Sequence, residues 1–157
     1  MENFIDSKTY RHFLILNEEK IKADLAYTGI YARANQSIYI VDDDVGIKTF
    51  HLLSSASDNV SIIVFSDHAS SFGITASIIA DFRSEYPSLS ISFQRTMHLC
   101  HDRYIAIDYG TEEEEIYHCG ASSKDAGSRI TTIMKVEDSS VYHTMFERLL
   151  KHPARVI

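Results

Sequence analysis

The chain has few of the residues that build staples, linkers or membrane spans. It has only two cysteines in 157 residues, Cys100 and Cys119. That is too few for a disulfide framework, and free thiols are expected. Two prolines and six glycines leave little room for an interdomain linker. The length suits one domain with its own core, so residues 1–157 read as a single domain. No apolar run is long enough to span a bilayer. The start, "MENFIDSKTYRH", lacks the basic-then-apolar profile of a secretory signal, so a cytoplasmic home is expected. Positive charge is also scarce. Fifteen Lys and Arg stand against 22 Asp and Glu, for a net charge of −7. That balance excludes a broad basic footprint for nucleic acid but leaves room for one small positive cleft.

Apolar patterning supplies the rest of the frame. "FLIL" (13–16), "SIYIV" (37–41), "VSIIVF" (60–65) and "LSISF" (89–93) read as strands. Further strands are expected over about 102–109, 115–121 and 130–136. The nearly all-apolar run at 60–65 suits a strand covered on both faces. Helices are expected over 18–34, 45–54, 72–86 and 139–151. The first is amphipathic on the spacing of Ile21, Leu25, Thr28 and Ala32, with Asn17 as its N-cap. Alternating strands and helices give an α/β sandwich around a mixed sheet, with helices on both faces. "EEEE" (112–115) reads as the solvated tip of a hairpin, expected to point away from an anion site or to restrict access to it. Tyr142, Met145, Phe146, Leu149 and Leu150 near the end read as core or interface.

Chemistry concentrates in "HLCHDRYIAIDYG" (98–110) and "HCGASSKDAG" (118–127). Residues two apart on an extended strand share a face, so His101 and Arg103 project side by side. An imidazole can move a proton or attack, and a guanidinium grips phosphate through a planar fork of donors. Asp108 has the opposite parity and is better placed to support the strand end. In the second stretch Gly120 permits close backbone approach, Ser122 and Ser123 offer hydroxyls, and Lys124 adds a cation. A polar strand entrance and an ordinary turn are the plain alternatives. His98, Cys100, His101, His118 and Cys119 are all zinc-ligand types, yet no C-x-x-C or H-x-x-x-H pair occurs. "DDD" (42–44) lies where a strand passes into a helix. Carboxylates there can hold Mg²⁺, but capping the helix is the favoured reading.

His101, Arg103 and Asp108, spaced as His, one residue, cation, four residues, Asp, resemble the signature of the phospholipase D superfamily. Arg103 stands where that family has lysine. "GASS" (120–123) stands where the family has a Gly-Ser segment, with Ser123 in place of its downstream Asn. The order of elements is similar to one half of the fold, and the length is similar to the small single-motif bacterial endonucleases. The resemblance implies a phospholipase D-like sandwich and phosphodiesterase or nuclease chemistry without metal or other cofactor. It makes His101, Arg103 and Asp108 the catalytic motif. Gly120, Ser122, Ser123 and Lys124 become phosphate-binding, and Asp125 is a candidate to orient His101. A histidine would form a phosphohistidine, and the second histidine would be His101 of a twofold partner. The expected partners are a second copy and nucleic acid or another phosphodiester, with no membrane. The alternative is a binding or dimerisation module without turnover. On a similar resemblance, such a region can follow a DNA-binding segment in a phage-type regulator, which would make this chain part of a longer protein.

Overall fold

A computed structural model describes residues 12–16, 18–67, 73–120 and 131–157. Seven strands form one sheet: β1 (His12–Ile15), β2 (Ser37–Val41), β3 (Ser61–Phe65), β4 (Ser90–Gln94), β5 (Arg103–Ile107), β6 (Glu115–Cys119) and β7 (Thr131–Lys135). Four helices accompany them: α1 (Lys20–Ala32), α2 (Ile47–Leu53), α3 (Ala76–Glu85) and α4 (His143–Leu150), the last preceded by a 3-10 turn at Ser139–Tyr142. The sheet order is β1-β7-β6-β5-β2-β3-β4. β2, β3 and β4 are parallel, as crossovers through α2 and α3 require. All other pairings are antiparallel, so the sheet is mixed.

Strand alternation sorts the side chains into two cores. Ile38, Ile40, Ile62, Val64, Ile91, Phe93, Ile105 and Ile107 face one side and pack with buried residues of α1, α2 and α3. Val41, Phe65, Ala106 and Ile116 face the other side and are met by Phe146 and Leu149 of α4. Phe146 and Leu149 are the two buried residues of α4, and burying each contributes about 2 kcal/mol. Tyr39 joins this layer, with ring centroids 5.9 Å from Phe65, 5.4 Å from Tyr109 and 6.2 Å from Phe146. Helices on both faces and a mixed sheet match the expected sandwich.

Helix α1 forms where its sequence suggests, but on a different face. Ile21 is 78% exposed and Leu25 39%. The buried face is Ala23, Ala26, Tyr27, Gly29, Ile30 and Tyr31. Three small residues on that face bring the helix backbone close to its neighbours, and the two tyrosines fill the space beyond them. The proposed cap, Asn17, lies outside the described residues.

The hairpin between β5 and β6 is less solvated than its four glutamates suggest. Glu112 and Glu113 are exposed, while Glu114 and Glu115 are half-buried. Glu115 accepts from Arg33 Nε at 2.7 Å and Nη2 at 2.5 Å, from Lys135 Nζ at 2.8 Å and from the Tyr117 hydroxyl at 3.0 Å. Burial pushes its carboxyl up, but these donors outweigh it and hold the group down to about 2. Glu114 accepts from Ser139 Oγ and His143 Nε2, both at 2.6 Å, and from the Gly110 amide at 2.7 Å. Two of the four carboxylates therefore fasten the hairpin to α1, β7 and the start of α4.

Candidate functional site

The site lies at the end of the sheet where β2, β3, β4 and β6 finish and β5 begins, because Arg103 pairs with Cys119 and Tyr104 with Val41. The glutamate hairpin is at the opposite end, as expected. β5 begins only at Arg103. His101 stands in the bend before it, exposed and outside the extended strand expected to carry it, although it lines the same cleft as Arg103. His101 makes no hydrogen bond or ion pair with any described residue. It lines a cleft with Asp42, Asp43, Asp44, Thr96, Asp102 and Arg103.

Arg103 does not point into open solvent. Its Nε is 3.3 Å from Asp42 Oδ1, and its Nη2 donates to Asp44 Oδ2. Asp42 is 5% exposed, and its Oδ1 also accepts from the Asp44 amide at 2.8 Å. Partial burial works against the guanidinium charge, but the Asp44 bond and both carboxylate charges outweigh it and tighten its hold on its proton. These aspartates do not cap α2. Its N-cap is Gly46, whose amide donates to Thr49 Oγ1 at 3.1 Å. The reason is reach: the strand delivers Asp42 and Asp44 beside β5, where a cation is already waiting.

Two further carboxylates build the loop that carries His98 and His101. Asp67, just past β3, accepts from the Thr96 hydroxyl at 2.7 Å and from the amides of Met97 and His98 at 3.0 Å each. Burial pushes its carboxyl up, yet together these donors and the nearby His98 outweigh burial and bring the group down to about 2. Asp43 in turn accepts from the Asp67 amide at 2.7 Å. Met97 and His98 both adopt positive φ, at 52° and 57°. They are loop residues, not strand residues, and Asp67 holds them in that conformation. Nothing in the run around His98 signals this, since the organising carboxylate is some thirty residues upstream.

Asp108 is at the far end of β5. It is 2% exposed, at φ 52°, and its carboxylate accepts from the amides of Asn35 (3.0 Å), Gln36 (2.7 Å) and Ser37 (3.1 Å). It therefore ties β5 to the entry of β2 and supports the strand end, as its parity suggests. Gly120 is needed for close approach, but to β7: a Cβ there would sit 2.6 Å from Thr131 Oγ1. Its amide donates to the Thr132 carbonyl at 2.8 Å and is engaged in the sheet. Ser122, Ser123, Lys124 and Asp125 lie outside the described residues.

The zinc-type residues do not converge. Among the described residues no three His, Cys, Asp or Glu side chains gather as a metal-binding group. Cys119 is buried on the α1 side, and burial drives its thiol up to about 12. Burial also raises the Cys100 thiol, helped by Asp43 and Asp102. His118 shares β6 with Cys119 but faces the α4 side, where its Nε2 is 3.4 Å from Asp102 Oδ2 and its ring 5.2 Å from that of Tyr104. Among the described residues no helix is long and apolar enough to cross a membrane.

No family model and no curated protein matches the sequence. Solved structures do match in shape. NucT from Helicobacter pylori superposes with a TM-score of 0.59 at 13% identity, over 93% of this chain and 99% of that one. TrmBL2, an archaeal chromatin protein with a novel mode of DNA binding, gives 0.51 at 13% identity, over 94% of this chain and 54% of that one. Polyphosphate kinase from Porphyromonas gingivalis gives 0.52 at 14% identity, over 89% of this chain and 22% of that one. At such identities the likeness is one of fold, and that fold is the phospholipase D-like α/β sandwich.

Proposed function

From a phospholipase D-like fold we propose a binding or dimerisation module in which phosphodiester turnover is blocked by Asp42 and Asp44. One observation carries this reading: the cation of the motif, Arg103, is held by two carboxylates of its own chain. A phosphate entering the cleft faces four carboxylates in its lining, Asp42, Asp43, Asp44 and Asp102, beside the one guanidinium of Arg103. At an effective dielectric of 20, a carboxylate about 5 Å from a phosphate charge costs roughly 3 kcal/mol, so one shared guanidinium does not offset two aspartates. The net charge of −7 adds to the repulsion. The module's partner is then a second copy of this chain across a twofold axis. DNA contacts would belong to another segment of a longer, phage-type regulator. The likeness to TrmBL2, which is nearly twice the matched length and binds DNA, supports that arrangement.

A second reading is favoured by the exposure of His101 at the mouth of β5, unpaired among the described residues. It is metal-independent phosphodiester hydrolysis in a homodimeric site. There His101 Nε2 attacks phosphorus, the ester oxygen leaves with a proton from the partner's His101, and water then cleaves the phosphohistidine. Arg103 and Lys124 would stabilise the phosphoryl oxygens.

The two readings part on one experiment. The purified chain is incubated in EDTA with bis(p-nitrophenyl) phosphate and with single- and double-stranded DNA and RNA, beside His101→Ala. The module reading expects no His101-dependent product and an unchanged dimer by sedimentation. Hydrolysis that disappears in His101→Ala overturns it in favour of the enzyme.

A further inference from the structure

β4 is an edge strand, so one row of its backbone groups has no strand partner in the sheet order. Open edges recruit strands from other chains, and proteins close them by several means. Here two means act together. Arg83 of α3 donates from Nη2 to the Ile91 carbonyl at 2.8 Å. Beyond that point residues 153–155 pair antiparallel with the strand. The Arg155 amide donates to the Phe93 carbonyl at 2.9 Å, the Arg95 amide donates to the Pro153 carbonyl at 3.1 Å, and Gln94 faces Ala154 as a bridge pair. His152 Nδ1 lies 3.0 Å from the Arg95 carbonyl, and Ile157 packs against the larger core.

The same segment reaches the site. The Arg155 guanidinium donates to the backbone carbonyl of Asp67. Asp67 is the residue whose carboxylate holds the Thr96 hydroxyl and the Met97 and His98 amides. Both of those left-handed residues are costly in isolation and persist because Asp67 is in place. An edge cover and a loop anchor therefore meet in one residue, Arg155, whose amide serves the first and whose side chain serves the second.

We propose that residues 152–157 form a strap that seals the β4 edge through backbone pairing and, through the Arg155 side chain on Asp67, fixes the loop bearing His98 and His101. The strap is a conformational control on that loop: release of Arg155 frees it while the sheet stays intact. It rests on the site reading only for the identity of His101, since backbone exchange reports on the loop whether or not the chain turns over any ester.

The test is amide hydrogen exchange on the full chain with Arg155→Ala and Arg155→Pro. Losing a hydrogen bond from a charged donor corresponds to about tenfold faster opening. Arg155→Ala should accelerate Met97 and His98 by about that factor and leave Arg95 and the β2 and β5 amides as they were. Arg155→Pro also removes the amide donor and should accelerate Arg95 as well. Unchanged exchange at Met97 and His98 in both variants overturns the coupling and leaves only an edge cover. Uniform acceleration across β2 and β5 overturns it too, because the segment would then be part of global stability.

Discussion

Neutralising Asp42 and Asp44 together is the sharpest perturbation of the site. In the native chain Arg103 carries one positive charge against two carboxylates, at 3.3 Å from Asp42 and in direct contact with Asp44. Asp42→Asn with Asp44→Asn keeps the acceptor that Asp42 offers to the Asp44 amide and turns a local charge of −1 into +1. Asp44 and Arg103 are about a third exposed although Asp42 is buried, so the Coulomb figure of roughly 3 kcal/mol per carboxylate is an upper bound, and about 1 kcal/mol each is realistic after solvent screening. The double variant should therefore bind inorganic phosphate about 2 kcal/mol, or about thirtyfold, more tightly. Titration by calorimetry at low salt reads this directly, and the gain should vanish when Arg103→Ala is added. The cost is stability. Loss of a half-buried charge-assisted pair should lower the unfolding free energy by about 1–3 kcal/mol, read by urea denaturation. Phosphate affinity that stays constant or falls in the folded double variant would refute the claim that these aspartates exclude anions from the cleft.

Asp108→Ala leaves three amides without their shared acceptor at a part-buried strand end and should cost about 3 kcal/mol in urea denaturation, with Asp108→Asn in between. Gly120→Ala should destabilise by about 1–3 kcal/mol through its contact with Thr131 Oγ1, and adding Thr131→Ala should recover part of that loss. Glu115 and Asp67 both have carboxyls held down to about 2, below their unfolded values. Their contribution is complete above about pH 4.5 and is lost as pH falls towards 2, so thermal midpoints should drop across that window. Glu115→Gln should flatten the drop, and a profile unchanged by that substitution would remove Glu115 from the account.

The strands were readable because each is short, apolar on at least one face and bounded by polar residues. β2 falls on residues 37–41 as expected, and β3, β4 and β7 differ by a residue at one end or both. Helix α1 shows where that reading stops. Ile21 and Leu25 have the spacing of a buried stripe, but small residues on the opposite face pack closer and so take the interior. Burial is decided by what the helix meets, not by hydrophobicity alone. The site was legible as a set of residue types but not as a set of bonds. The Arg103 contacts span 59 and 61 residues of chain, and the Asp67 contacts with the loop about 30. No local spacing encodes pairs so far apart. Asp108 was the exception, because strand parity alone separates it from the cation.

The ends of β5 place the first and last members of the signature at opposite rims of the sheet, His101 beside the cleft and Asp108 beneath the entry to β2. The spacing between them is thus a ruler for one strand, five residues of roughly 3.3 Å each. An insertion or deletion of one residue would turn either the cation or the closing aspartate to the wrong side of the sheet. Any descendant of this scaffold must keep that interval in order to fold, whether or not it breaks a bond in its substrate. The interval certifies architecture; the residues at 42 and 44, within ten positions of Asp108's amide partners by chain and beside the cation in space, are where a working enzyme and a silent relative should be told apart.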